Sequence, residues 1–345
     1  MPVPSRSGET PSPDQSARMR DVAQLAGVSH MTVSRVLNEN GNVRPQTRAR
    51  VLEAVRQLGY RPNSAARTLA TRRSNTVGIV ALDTTLYGPT SMVFGIERAA
   101  RAAGFFVSVA TITAPTKRSL LGAVRHLEEQ RVEGLVAIVP RDAGATVLRS
   151  IDPSLPVVAI GNIDVENVSS VGVDNVAGAF LVTQHLLSLG HETVHHVAGP
   201  PGWREATERT EGWREALQSA GAPVPLRRIG DWSPRSGYAV GRDLAADRDV
   251  TAIFCANDHM AIGVLRALSE AGRRVPDDVS VAGFDDIPEA GFLIPPLSTV
   301  RQDFAALGHH CLRVLRELAS QPGVDQPIRV MLKPELQVRG SCAPP

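Results

Sequence analysis

Apolar residues along this chain follow two rhythms. Near the N-terminus they fall three and four apart: Val22, Leu25 and Ala26, then Val33, Val36 and Leu37, then Val51, Ala54, Val55 and Leu58. That spacing puts each set on one face of a helix, so three short helices are expected there. From Thr76 onward the rhythm changes to short Val/Ile-rich runs: TVGIVAL, FFVSVAT, GLVAIV, PVVAI, TVHHVAG, TAIFCA and VSVAGF. Between them lie amphipathic stretches at 90–103, 117–130, 175–189, 204–220, 257–271 and 303–319. Strand–helix alternation of this kind predicts an α/β body of parallel sheets with helices on both faces. One sheet of that size would be large, so two lobes are expected.

The stretch DVAQLAGVSHMTVSRVLN fixes the reading of the first rhythm. Gly27 suits a tight turn because it tolerates positive φ cheaply. Ser29 then stands where a helix N-cap belongs. A second helix from about His30 to Asn38 buries Val33, Val36 and Leu37 and leaves His30, Met31, Ser34, Arg35 and Asn38 outward. Pro45 suits the first turn of the third helix. Two brief helices about a glycine turn describe a helix-turn-helix, the bland alternative being an ordinary helical hairpin.

Charge separates these readings. Between Ser16 and Arg73 there are eleven arginines, no lysine and three acids, a surplus of eight positive charges in a chain whose net charge is only +2. A basic segment joined to an acidic remainder points to a polyanion partner for that segment alone, against a merely solvated basic face. The segment NSAARTLA has helix-forming residues for only about two turns, and so short a helix is marginal in water. It is expected to order on meeting DNA and a second copy of the chain.

Composition narrows the rest. The chain is 43% hydrophobic and 21% charged, as soluble globular proteins are. No apolar run approaches the ~18 residues of a membrane span. Residues 1–16 are Pro/Ser-rich and lack the apolar core of a secretory signal, so they read as a disordered tail. Cys255, Cys311 and Cys342 are odd in number and far apart, which fits reduced thiols in a cytoplasmic protein.

The segments DVAQLAGVSHMTVSRVLN and GYRPNSAARTLATRRSNTVGIV closely resemble the head of the lactose/galactose repressor (LacI/GalR) family of bacterial transcription regulators, and the likeness runs from about Arg18 to Gly340. It implies a helix-turn-helix DNA-binding domain over 17–62, a hinge helix and linker over 63–74, and an effector-binding and dimerisation domain over 75–340, with a tail at 341–345. It further implies that this last domain is a two-lobed, Rossmann-like body of the periplasmic-binding-protein type. The N-lobe would span about 75–173 and 304–331, the C-lobe about 174–300 and 332–340, with crossovers near 161–175, 298–304 and 331–334.

By the same resemblance His30, Met31 and Arg35 occupy base-reading positions, while Thr32, Ser34, Asn38 and Thr47 stand where relatives hold phosphates. An outward arginine can pair bidentately with a guanine edge, and short hydroxyl and amide side chains fix register on the backbone. Met31 can meet a thymine methyl but cannot read adenine through paired hydrogen bonds. Arg44 stands before Pro45, where relatives carry a capping hydroxyl. In the hinge, which begins at Asn63, Leu69 matches a minor-groove wedge and Ala66 packs close to it.

Ligands of such folds bind at the carboxyl ends of the strands, between the lobes. Asp83, Arg209, Trp232, Asn257, Asp285, Gln302 and Phe304 fall in strand-end loops. A sugar site wants this mixture of planar donors and acceptors with aromatic faces. The resemblance aligns Arg209, Asn257, Asp285 and Gln302 with hydroxyl-binding positions, Trp232 and Phe304 with ring-packing positions, and Leu86, Tyr87, Gly88, Pro89 and Met92 with the first cleft loop. Gly161 and Asn162 stand where a carboxylate usually follows PVVAI. Asn257 is also placed to cap a helix, Asp285–Asp286 to make a plain turn, and Trp203 and Trp213 to pack or lie on the surface.

HETVHH reads as a strand, so its histidines do not share a face as metal ligands. No G-x-S-x-G, P-loop or supported Cys–His pair is present. The expected function is a ligand-responsive, DNA-binding transcriptional regulator rather than an enzyme, with no cofactor and no metal. It is most simply a repressor of carbohydrate-utilisation genes, acting in the cytoplasm at the nucleoid. It would bind a near-palindromic double-stranded operator as a homodimer and be released by a small sugar. A nucleobase or other small-molecule effector is the alternative. A sugar solute-binding protein shares the body fold, but the basic head speaks against it. The absence of leucine heptads after the final strand argues for a dimer over a tetramer.

Overall fold

The protein is seen in a computed structural model that describes residues 17–37, 43–60, 74–82, 85–114, 116–138, 147–148, 151–152, 154–163, 165, 167–320 and 326–345. The expectations at Asn38, Asn63, Ala66, Leu69 and Asp83, and those for the N-terminal tail and the hinge helix, lie outside these residues. The chain divides into two compact units, Met1–Ser74 and Asn75–Pro345.

The first unit contains α1 (Met19–Ala26), α2 (His30–Leu37) and α3 (Pro45–Gln57). Gly27 ends α1 in the left-handed region at φ 60°, where a side chain would be strained. Ser29 Oγ accepts from the Thr32 amide at 3.2 Å, satisfying one of the free amides that open α2. Arg50 of α3 ties the turn down from the other side: its Nε donates to the Ala26 carbonyl and its Nη2 to the Gly27 carbonyl, both at 3.1 Å. Pro45 opens α3, and Arg44 supplies no side-chain cap.

Val22, Ala23, Ala26, Val33, Val36, Val51, Ala54 and Tyr60 form the core of this unit. Leu25 was expected inside and is 51% exposed. Ala23 takes its place, because three short helices this close leave room for an alanine where a leucine would force them apart. Leu37 is half-buried rather than buried.

The second unit holds two six-stranded sheets. In the first, the order is β11 (Arg329–Leu332), β5 (Ser169–Val173), β4 (Val157–Ile160), β3 (Gly134–Ile138), β1 (Thr76–Leu82), β2 (Phe106–Ile112), all parallel. Its helices are α4 (Tyr87–Ala102), α5 (Lys117–Glu129) and α10 (Phe304–Ser320). In the second sheet the order is β12 (Glu335–Gln337), β10 (Ser298–Arg301), β9 (Ser280–Asp285), β8 (Ala252–Cys255), β6 (His195–Ala198), β7 (Arg228–Ile229). Here β12 runs antiparallel to β10 and the other pairs are parallel. Its helices are α6 (Asn175–Ser188), α7 (Arg204–Ser219), α8 (Pro234–Ala246) and α9 (Asp258–Glu270). The chain passes between sheets three times: after Val173, after Arg301 and after Leu332.

Three helix pairs meet backbone to backbone, α6 and α7 among them, where a Cβ at Gly212 would lie 2.1 Å from the Val176 oxygen. A Cβ added at Gly95 of α4 would lie 2.1 Å from the Phe304 carbonyl oxygen, and one at Gly308 of α10 would lie 2.2 Å from that of Gly95. In the second sheet's layer, a Cβ at Gly237 of α8 would lie 2.1 Å from the Met260 oxygen, and one at Gly263 of α9 would lie 2.0 Å from that of Pro234. No helix among the described residues is long and apolar enough to cross a membrane.

Candidate functional site

In the first unit the outer face of α2 carries the chemistry. Val33 and Val36 point into the core, which turns His30, Met31 and Arg35 outward; Met31 is 65% exposed. Thr32, Ser34 and Thr47 are half-buried at the edge of that face. An exposed thioether and an exposed guanidinium on one helix face are side chains of the types that meet base edges in a groove.

In the second unit a cavity partly open to solvent, about 640 Å³ when the open space at its mouth is counted, lies where the strands of both sheets end. Leu82, Leu86, Tyr87, Gly88, Pro89, Met92, Ile138 and Ile160 line it from the first sheet and α4. From the second come Trp203, Glu205, Arg209, Trp232, Asn257, Asp285 and Gln302. The first wall is almost wholly apolar; the second carries the polar groups.

Those polar groups hold one another. Arg209 is 4% exposed; its Nε donates to Asn175 Oδ1 at 2.9 Å and its Nη1 to the Ala256 carbonyl. Nη1 also pairs with Asp285 Oδ1 at 3.3 Å, and the guanidinium carbon sits 3.7 Å from the centroid of the Phe284 ring. Gln302 Nε2 donates to the same Asp285 oxygen at 2.7 Å. Asn257 does two jobs: its Oδ1 caps α9 by accepting from the Met260 amide at 2.9 Å, while its Nδ2 donates to the Trp232 carbonyl at 3.1 Å. Asp258 accepts from the Ile287 amide at 2.9 Å and the Thr299 hydroxyl at 2.5 Å, so it anchors the loop after β9.

The backbone of this wall is strained where it faces the cavity. Trp232, Asp285 and Asp286 adopt positive φ of 73°, 114° and 53°, conformations that persist only where the surroundings hold them. Asp285–Asp286 is therefore not a plain turn. Burial also sets the protonation chemistry. It pushes the Asp258 carboxyl up to about 8, with the neighbouring Asp285 carboxylate adding to the rise. Burial likewise raises Asp285, against the lowering effect of Arg209. Glu208, which accepts from Asn175 Nδ2 at 3.0 Å, is pushed up to about 7, chiefly by burial.

Two expected residues do not line the cavity. Phe304 is buried behind Tyr87, its ring 6.1 Å away and edge-on, so it supports the wall rather than forming it. Asn162 is exposed, and its carbonyl accepts from Arg204 Nη1 at 2.9 Å. Five residues that do line it were missed: Leu82, Ile138, Ile160, Trp203 and Glu205. Trp203, read as packing or surface, stands edge-on to Trp232 with centroids 6.0 Å apart. Glu205 lies one helical turn before Arg209 on α7, and that spacing was the available signal. Trp213 is buried, its Nε1 donating to the Val194 carbonyl at 2.8 Å. Among the described residues no group of three or more His, Cys, Asp or Glu side chains is placed to hold a metal.

Residues 18–63 match the family model for bacterial regulatory proteins of the lacI family, and residues 183–342 match that for a periplasmic binding protein-like domain. The chain is 37% identical to the HTH-type transcriptional regulator CelR of Thermobifida fusca, over 93% of this chain and 96% of the relative. It is also similar to the crystal structure of the lac repressor dimer bound to operator and the anti-inducer ONPF, with a TM-score of 0.83 and 32% identity over 95% of this chain and all of that one. The structure of a transcriptional regulator CelR–cellobiose complex matches with a TM-score of 0.70 and 33% identity over 94% of this chain and 99% of that one.

Proposed function

The chain belongs to the lacI family of bacterial regulatory proteins, and from that premise we propose that it is a ligand-responsive repressor of carbohydrate-utilisation genes. It binds double-stranded operator DNA as a homodimer and is released by a small sugar. The observation that carries this reading is the pairing, in one chain, of an outward-facing recognition helix with a partly open cavity whose one wall is almost wholly apolar and whose other carries hydrogen-bonding groups and two tryptophans. Among the described residues that line the cavity no Ser, Thr or Cys stands beside a base, which supports a site that binds its ligand. It works in the cytoplasm, where the operator is.

His30, Met31 and Arg35 read bases; Thr32, Ser34, Asn38 and Thr47 hold phosphates. Asn63, Ala66 and Leu69 belong to a hinge that enters the minor groove. In the body, Arg209, Asn257, Asp285 and Gln302 meet hydroxyls, while Trp232 and Tyr87 cover the faces of the ring. Support comes from relatives whose names and complexes include cellobiose and the lactose and ribose operons. The head spans 17–62, the hinge 63–74 and the body 75–340.

The test is one titration in two stages. Fluorescence anisotropy on near-palindromic DNA measures operator binding. Sugars that raise the melting temperature are then added to the complex. Among the stabilising sugars, the inducer is the one that lowers operator affinity, and operator DNA then lowers the affinity for that sugar by the same factor, typically about 1–3 kcal/mol. A protein that ignores DNA, or turns over a stabilising sugar, excludes this reading.

A further inference from the structure

The cavity holds two kinds of polar group. At one station Arg209, Asp285, Gln302 and Asn257 satisfy one another. Elsewhere on the same wall, two side-chain atoms shut off from solvent have no hydrogen-bond partner: Glu205 Oε2, one turn back along α7, and Trp232 Nε1, in the loop before α8. Trp232 is 94% buried in terms of its own surface, being 6% exposed, and its ring lies flat against Gly199, where a Cβ would come within 2.3 Å. It cannot turn away to find another partner. Buried polar atoms left unpaired are costly, and both of these belong to residues that line the cavity.

Their chemistries are complementary to one ligand group. An indole N–H only donates; a carboxyl group accepts, and donates as well when it holds its proton. A hydroxyl does both at once, and neighbouring hydroxyls on a ring do the same side by side. A planar base would have to place an acceptor and a donor at two fixed spots in its edge, whereas any pyranose or furanose presents them on rotating O–H groups. The Trp203 ring stands edge-on to Trp232 and lines the same cavity.

Charge narrows the class further. Among the described residues lining the cavity, Arg209 is the one cation, and it is already paired with Asp285. Glu205 adds a second carboxyl group, and burial holds its affinity for a proton above the usual range, against the lowering effect of Arg209 and Arg204. A phosphate brought here would meet two carboxyl groups and no free guanidinium.

We propose that Glu205 is a specificity-determining residue which, together with Trp232 Nε1, takes a hydroxyl of an uncharged sugar and turns away its phosphorylated counterpart. This rests on the sugar-responsive reading above and names what that site selects.

Calorimetric titration of the full chain tests this with cellobiose, lactose, D-glucose and D-ribose, each beside its terminal monophosphate. At least one uncharged sugar is expected to bind the wild type about 10-fold or more tightly than its phosphate. Glu205→Ala and Trp232→Phe should each weaken that sugar about 10-fold, the worth of one lost hydrogen bond in a closed site. Glu205→Gln keeps the shape and one acceptor, so it retains more affinity while narrowing the gap to the phosphate; melting curves confirm that each variant folds. If the sugar binds and all three variants lie within twofold of wild type, Glu205 has no such role while the sugar reading stands. A phosphate that binds as tightly as its parent overturns the proposed selection. If no uncharged sugar binds the wild type, the sugar reading falls and this inference falls with it.

Discussion

Two arginines show how differently the two units of this chain use the same side chain. Arg35 stands exposed on α2, and nothing in the core depends on it. Arg209 is 4% exposed and holds Asn175, the Ala256 carbonyl and Asp285 together. The head keeps its chemistry apart from its packing; the body builds its site out of its packing. A residue of the first kind can change what the protein binds without changing whether it folds. A residue of the second kind cannot.

The sharpest way to break that contrast is Arg209→Ala. Removing it leaves Asp285 buried without its cation, so the body should lose about 3–5 kcal/mol, read from denaturant melts. A loss below about 1 kcal/mol would mean that the cavity wall is not built as described.

Asp258 tests the same wall by pH. Its folded-state pKa of about 8 lies above the ordinary value of 3.8. The folded state therefore holds the proton more tightly than the unfolded one between those limits. Its contribution to stability is most favourable below pH 4 and declines as pH rises toward 8. Asp258→Asn removes that decline, so the stability difference between wild type and variant should shift in the variant's favour from pH 5 to pH 8. A difference that is flat across this range excludes a raised pKa.

On the head, Arg35→Ala should cost about 1–3 kcal/mol at the cognate operator and relax preference at one base pair, with folding stability within about 0.5 kcal/mol of wild type. Operator binding is measured by anisotropy, stability by melting. If the variant melts early, the separation of packing from reading fails. The smallest effect belongs to the cap that starts the recognition helix: Ser29→Ala should lower the head's stability by about 1 kcal/mol. An unchanged melting curve would show that the Thr32 amide finds water just as well.

The sequence was most legible where apolar spacing was strong. The three head helices and all seven long strand candidates stand close to where periodicity put them. Five strands escaped it. Arg228–Ile229 has two residues, and Ser169–Val173 is buried throughout yet begins with two serines, so neither shows a run or an alternation. Helix Pro234–Ala246 escaped for another reason: its contact face is made of Gly237 and Gly241 pressed against a neighbouring backbone, where a pattern of large apolar residues has no room to appear. At the site, Arg209, Trp232, Asn257, Asp285 and Gln302 reach the cavity. Glu205 and Trp203 were passed over because an acid and a tryptophan near a helix start read equally well as surface, and only the folded wall separates the two.

The crossing of Gly95 over Gly308 bears on anyone who wants this protein to answer to a different molecule. With two main chains in contact, the helix bearing Tyr87 and Met92 cannot slide or tilt to make space, since no side chain lies between to be trimmed. Redesign of the cavity must proceed by exchanging the residues that face it, Leu86, Pro89 and Met92 first. Libraries that vary either glycine should return unfolded protein rather than new specificities.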